Sequence, residues 1–182
     1  MKLQKELLRL GNKMQKYTYK HVILVLFPIV SIALLWFYIS SSNQSPYKVE
    51  NTKAVPLNYK DNTIQCPQCN MFIVGKKDTA QIITTDHKTH FFDDVGCAIL
   101  WLEEKKIDLE NVKFWVYTRD TKEYVQAQDA FYSLVDETPM RYGFGAYKNI
   151  RDSLVPFGEM RLKMLRGENL SDPKIRKKLL GY

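Results

Sequence analysis

Cysteine is scarce in this 182-residue chain, which has three. An odd number leaves at least one thiol unpaired or engaged between molecules wherever disulfides persist. None of the three lies near the apolar run close to the amino terminus, which excludes a lipid anchor on a cysteine there. No good small-x-small cleavage site ending in alanine follows that run, which argues against a removable signal peptide. The body of the chain also lacks positive charge. The formal net charge is +7, but residues 1–21 carry six Lys/Arg against Glu6, and residues 161–182 carry seven against Glu168 and Asp172. Each end is therefore +5, which leaves −3 for everything between. A nucleic-acid binder concentrates positive charge on its folded domain, so nucleic acid is not expected as a partner. Apolar residues are plentiful at 45%, with 13% aromatic, enough to build a core and to exclude general disorder.

From Val22 to Ile39 eighteen residues carry no charge, and Ser31 is the polar exception. As a helix that length just spans a hydrocarbon core of ~30 Å. Pro28 is tolerated in a membrane helix, and Trp36 and Tyr38 suit the far interface. Basic residues ahead of the run and "SSSNQS" behind it place the amino terminus inside and the body outside. The expectation is an uncleaved single-pass anchor over 22–40, preceded by a basic cytoplasmic segment, 1–21. Residues 41–60 mix Ser, Asn, Pro and Lys without periodicity and read as a tether.

Past the tether, "TAQIITT" (Thr79 to Thr85) reads as a strand, "DHKT" as a turn and "HFFDD" as a returning strand. Asp93 or Asp94 suits the N-cap of a helix from Val95 to about Lys106, and "VKFWVYT" (Val112 to Thr118) is a further strand. "EYVQA" and "RYGFGAY" read as extended, "DAFYSLV" is ambiguous, and a helix of about fifteen residues is expected to end at Arg166, stopped by Gly167. The order hints at two small related units. A short basic helix closes the chain, with Asp172 as cap, Pro173 at its first position and Gly181 past its end. Its Ile175 and Leu179, four apart, suit packing on the domain; its basic face suits a partner or anionic lipid.

The chemistry concentrates in "CPQCNMF", Cys66 to Phe72. A thioredoxin-like dithiol needs a buried strand before it and a long helix starting at its first cysteine. "YKDNTIQ" and "NMFIVGKK" supply neither. A structural zinc site needs four ligands, and only His87 and His90 are expected to join Cys66 and Cys69, at spacings unlike those of zinc fingers and beside a wet hairpin turn. A soft metal fits better, because thiolate and thioether sulfur select Cu(I). In an extended segment Cys69 and Met71 would share one face and converge on one point. The plain alternative is that Met71 fills core and the cysteines are simply buried. Cys97, within the expected helix, reads as such a buried core thiol, and His90 as a solvated residue at the turn edge.

"CPQCNM", "FFDDVGCAILWL", "FWVYTRD", "YVQAQDAFY" and "TPMRYGFGAY", in that order from about 64 to 170, together resemble the NosL family of nitrous-oxide reductase accessory proteins. The resemblance implies an α+β fold of two small related ββαβ units, about 61–120 and 121–170, within a copper-binding domain 61–170, followed by the helix in 171–182. It implies a copper(I)-binding protein of the periplasm. Members are often lipoproteins, whereas the apolar run 22–40 here is expected to anchor the chain in the inner membrane. A chaperone needs no covalent step, so an enzyme is not expected. The client would be nitrous-oxide reductase or another copper enzyme, and a membrane copper transporter is a further expected partner. It maps the copper ligands onto Cys69, Met71 and Met140, with Cys66 as an auxiliary or transfer thiol. A thiol reductant cycling Cys66 and Cys69 remains the rival from another class.

Overall fold

The structure, a computed structural model, describes residues 6, 24, 26–38 and 49–181. It divides into two parts, Met1–Ser45 and Pro46–Tyr182. In the first, residues 26–38 are helical and exposed, and the Ser31 hydroxyl donates to the Phe27 carbonyl at 2.8 Å. Residues 22, 23, 25, 39 and 40 of the expected anchor, and all of 1–21 except Glu6, lie outside the described residues. Among the described residues no helix is long and apolar enough to cross a membrane.

The part from Pro46 onward is a mixed α+β fold with two small antiparallel sheets. The larger contains β1 (Val49–Glu50), β2 (Ala80–Ile83), β3 (Lys88–Phe92), β4 (Lys113–Tyr117) and β5 (Tyr124–Gln126) in the order β1-β3-β2-β4-β5. All four residues of β2 are buried, because both faces of the sheet are covered. Ala80 and Ile82 share one face with Phe92, Phe114 and Val116, which join the main core. Helix α1 (Val95–Lys105) closes that face with Val95, Cys97, Ala98, Ile99, Trp101 and Leu102. On the other face Phe91 meets Ile64 and Ile73, with Leu57 and Tyr59 against them. Gln81 serves that face too, exchanging two 2.8 Å hydrogen bonds with the Leu57 backbone.

The tether expected over 41–60 is therefore folded from residue 49 onward. Val49 and Glu50 pair with β3, Asn51 is buried, and the Leu57 backbone satisfies a buried glutamine. Without a period-two pattern the segment looked like linker, yet it covers one sheet face through backbone bonds and single anchors. The β2–β3 turn also differs from expectation. Thr84, Asp86 and Lys88 tie it closed, and His87 takes a left-handed φ of 59°. Strand β3 consequently starts at Lys88, so His90 lies mid-strand rather than at a wet turn edge. It is buried opposite Ile82 and stacks on Trp101 at 4.5 Å.

The smaller sheet holds β6 (Phe131–Tyr132), β7 (Ala146–Tyr147) and β8 (Val155–Pro156) in the order β7-β6-β8. Helix α2 (Phe157–Leu165) follows directly; it is shorter than expected because Val155–Pro156 pairs with β6 before the helix can begin. Its Met160 and Met164 are buried in the main core. After Gly167 (φ 72°) the chain does not return to the sheet; the Leu170 amide bonds the Tyr142 carbonyl at 3.1 Å instead. Among the described residues the stretch 121–170, the expected second unit, therefore runs β5-β6-β7-β8-α2 with no strand after its helix, whereas the first, 61–120, runs ββαβ. Arg119, past the end of β4, ties the two together through Asp78 (2.6 and 2.8 Å), Asp136 (3.2 Å) and the Ala146 carbonyl (2.8 Å).

Helix α3 (Pro173–Leu180) has the expected ends: the Asp172 carboxylate accepts from the Lys174 amide and Gly181 is left-handed at φ 79°. It buries no residue fully; of the expected apolar pair Ile175 is half-buried and Leu179 is exposed.

Gly96 shows how tightly α1 meets the second unit, since an added Cβ would collide with the Tyr142 ring and press on the Met164 sulfur. Overpacking there costs about 1–3 kcal/mol, against less than about 1 kcal/mol of helix propensity that alanine gains. Gly96→Ala is expected to lower unfolding stability in denaturant titrations despite the better helix former.

Candidate metal centre

Cys66 to Met71 forms the tip of a narrow hairpin. Gln65 bridges Phe72, and the Ile73 amide bonds the Ile64 carbonyl at 2.9 Å. Inside that ladder the Cys66 amide bonds the Met71 carbonyl and the Asn70 amide bonds the Cys66 carbonyl, both at 2.9 Å. Asn70 closes the turn at φ 63°, a left-handed conformation that asparagine tolerates better than most residues.

The chain at 69–71 is a turn rather than a strand, so the same-face argument for Cys69 and Met71 does not hold. Cys69 turns inward, half-buried against the main core, while Met71 is 41% exposed. The sulfur that faces Cys66 and Cys69 comes instead from α1. Asp94 caps that helix, its carboxylate accepting from the Gly96 amide at 2.8 Å. This places Cys97 in the first helical turn, and Asp93 just ahead of the cap. Cys66, Cys69, Cys97 and Asp93 have ligand atoms all within 4.8 Å of one another. The Cys69 thiol lies 3.3 Å from each oxygen of Asp93. Three members are buried and Cys69 is the half-exposed one.

Among the residues expected at the site, the structure brings Cys66 and Cys69 together and leaves Met71 on the surface. Met140 is half-buried against the main core, its amide held at 3.3 Å by the second oxygen of Asp94. The histidines do not enter the metal-capable group. Cys97 and Asp93 were not expected there. Cys97 is buried as anticipated, but against two other sulfurs rather than among carbon alone. The doubled aspartate was the available signal: one caps the helix, which frees the other, four residues before Cys97, for a different role.

The electrostatics follow from crowding. Cys97 hydrogen-bonds Cys66, which holds the Cys66 thiol below its ordinary value and, together with burial, holds Cys97 far above. Burial pushes Cys69 up to about 12, with Cys66 and Asp93 adding repulsion. No Lys or Arg pairs with Asp93 among the described residues. A cluster of this kind keeps protons until a cation displaces them.

Fold and site together describe a small α+β domain with a buried, thiol-rich, metal-capable cluster opening at one cysteine. No protein-family model matches the chain, and no curated protein matches it. A solved structure with a similar fold is the copper chaperone NosL from Shewanella denitrificans, 18% identical, with a TM-score of 0.44, covering 57% of this chain and 94% of that one. Similarity at that level carries no argument about function; the side chains of this cluster do.

Asp94 offers a check on the same region. Burial raises its carboxyl to about 6, against hydrogen bonds from Thr138, Gly96 and Met140 that lower it. Stability from the protonated form is fully present below about pH 4, the unfolded value, and is lost as pH rises through about 6. Relative to wild type, Asp94→Asn should abolish a fall of order 2–3 kcal/mol across that window in pH-dependent denaturation. Acid-side losses from Asp86 and Asp120, both held low by hydrogen bonds and neighbouring charge or amides, are common to both proteins and cancel in the comparison.

Proposed function

We propose that this chain is a membrane-tethered copper(I) metallochaperone that works in the periplasm and supplies nitrous-oxide reductase or another copper enzyme. The observation that carries the reading is the cluster itself: three thiols within 4.8 Å, of which only Cys69 reaches the surface. Sulfur donors select cuprous ion over harder cations. Cys69 is the entry ligand, and Cys66 and Cys97 wait behind it. Met71, exposed beside that mouth, is a thioether that receives or releases the ion at the surface. Met140, on the loop tied to α1 by Asp94, is the thioether contributed by the second unit. Phe72 and Val74 are exposed next to Met71 and form an apolar lip on which a partner can dock. Few ligands keep exchange fast, and a tether raises the effective concentration near a membrane copper transporter. No covalent step is needed, so the chain acts as a carrier rather than an enzyme. The choice of client rests on the ordered motifs from "CPQCNM" to "TPMRYGFGAY".

The closeness of the thiols also favours a second reading, a reductant that keeps a partner's cysteines reduced. Anaerobic Cu(I) titration of the reduced full chain in detergent, against a competing chelator, separates the two. For the carrier, Cys69→Ser should lower affinity by at least about 100-fold and Met71→Leu by about 10-fold. For the reductant, Met71→Leu is silent, Cys66→Ser and Cys69→Ser are equally damaging in thiol exchange, and Cu(I) is not held tightly at all. The last result would overturn the proposal.

A further inference from the structure

Asp93 is the member of the cluster that cuprous ion has no use for. A hard carboxylate oxygen adds nothing to a linear or trigonal sulfur site, yet this one sits with both oxygens 3.3 Å from the Cys69 sulfur. It is buried, and no lysine or arginine pairs with it among the described residues. Three sulfurs and one oxygen are the donor set of a tetrahedral divalent ion. With metal–sulfur distances near 2.3 Å and metal–oxygen distances near 2.1 Å, such a site has sulfur–sulfur edges of roughly 3.8 Å and sulfur–oxygen edges of roughly 3.6 Å. The Cys69–Asp93 edge is already that short. No other edge exceeds 4.8 Å, so closing the tetrahedron needs at most about 1 Å of movement.

The hairpin is a second, independent observation. Cys66-x-x-Cys69 turns through a left-handed Asn70 (φ 63°), and the turn is pinned by the Cys66 amide on the Met71 carbonyl and the Asn70 amide on the Cys66 carbonyl, both at 2.9 Å. That turn holds the two sulfurs within 4.8 Å of each other and of the Asp93 and Cys97 donor atoms. The remaining pair, Asp93 and Cys97, is delivered by the start of α1. Two short segments, each offering two donor atoms, thus bring four donors within 4.8 Å of one another.

We infer that Cys66, Cys69, Cys97 and Asp93 form a tetrahedral site for a zinc-class divalent cation, so that zinc and cuprous ion compete for the same pocket in different coordination modes. This rests on the reading of the cluster as a metal pocket. In the divalent mode Asp93 is the fourth ligand and Met71 is idle. In the cuprous mode Met71 contributes and Asp93 is idle. Competition of this kind gives a carrier a way to hold its thiols reduced and ordered when copper is scarce.

The test is a double dissociation on the reduced full chain in detergent under anaerobic conditions, with Co(II) as the spectroscopic probe, Zn(II) as competitor, and Cu(I) titrated separately. Wild type is expected to bind one Co(II) with near-ultraviolet thiolate charge-transfer bands and the intense visible bands of tetrahedral cobalt, both erased by Zn(II). Asp93→Asn should lower Zn(II) affinity about 10- to 100-fold and leave Cu(I) affinity within about twofold. Met71→Leu should do the reverse. A pale octahedral cobalt spectrum without thiolate bands would overturn the inference, as would Asp93→Asn weakening both metals equally. If Asp93→Asn fails to fold by circular dichroism, the wild-type cobalt spectrum and the Met71→Leu arm still decide it. Loss of the divalent mode with cuprous binding intact sinks this inference alone; loss of cuprous binding with the cobalt spectrum intact sinks the copper-carrier reading alone.

Discussion

Four acidic groups, three thiols and a carboxylate, are packed within 4.8 Å of one another behind a surface that only Cys69 breaks. Full ionisation of such a group without a counter-charge would be costly in a buried setting. The chain meets this with retained protons: the Cys69 thiol donates to the Asp93 carboxylate at 3.3 Å, and burial holds that thiol well above its ordinary value. In that state the protons serve as stand-ins for a cation. The rest of the unit can be understood as the means of holding those four groups at fixed separation.

Two elements bring them together from opposite sides. The hairpin at Cys66–Met71 is pinned by Ile64 and Ile73, which pack on the outer face of the large sheet beside Phe91. Helix α1 is fixed on the inner face by Trp101, Leu102 and Ile99, and its first turn is set by Asp94. The same Asp94 carboxylate reaches across to the Met140 amide, so one buried side chain positions both the helix turn that carries Cys97 and the loop of the second unit. The fit is close, because Gly96 leaves no room for a β-carbon against Tyr142. Movement of the second unit would therefore be felt at Cys97, one residue away.

Local signals carried far in this sequence. The cap Asp94, the ends of α3 at Asp172, Pro173 and Gly181, and the strands around "TAQIITT" and "VKFWVYT" stand where their residue types place them. Where local patterns misled, the cause was tertiary. Residues 49–59 have no periodicity, yet Gln81 and the edge of β3 give them backbone partners. His90 looked solvated beside a turn whose extent depends on contacts among Thr84, Asp86 and Lys88. The "RYGFGAY" segment yields only two strand residues, and Gly143 within it, at φ 96°, lies so close to the Leu134 carbonyl that a side chain would not fit.

The cluster divides in the same way. By itself the sequence determined that Cys66 and Cys69 share one short turn, since two intervening residues with proline and asparagine around them leave the chain little choice. Only the tertiary structure decided that Cys97 and Asp93 complete the group and that Met71 faces outward. Separations of about thirty residues carry no local pattern; which side chains meet across them depends on how the sheet's two covered faces set the start of α1 against the hairpin.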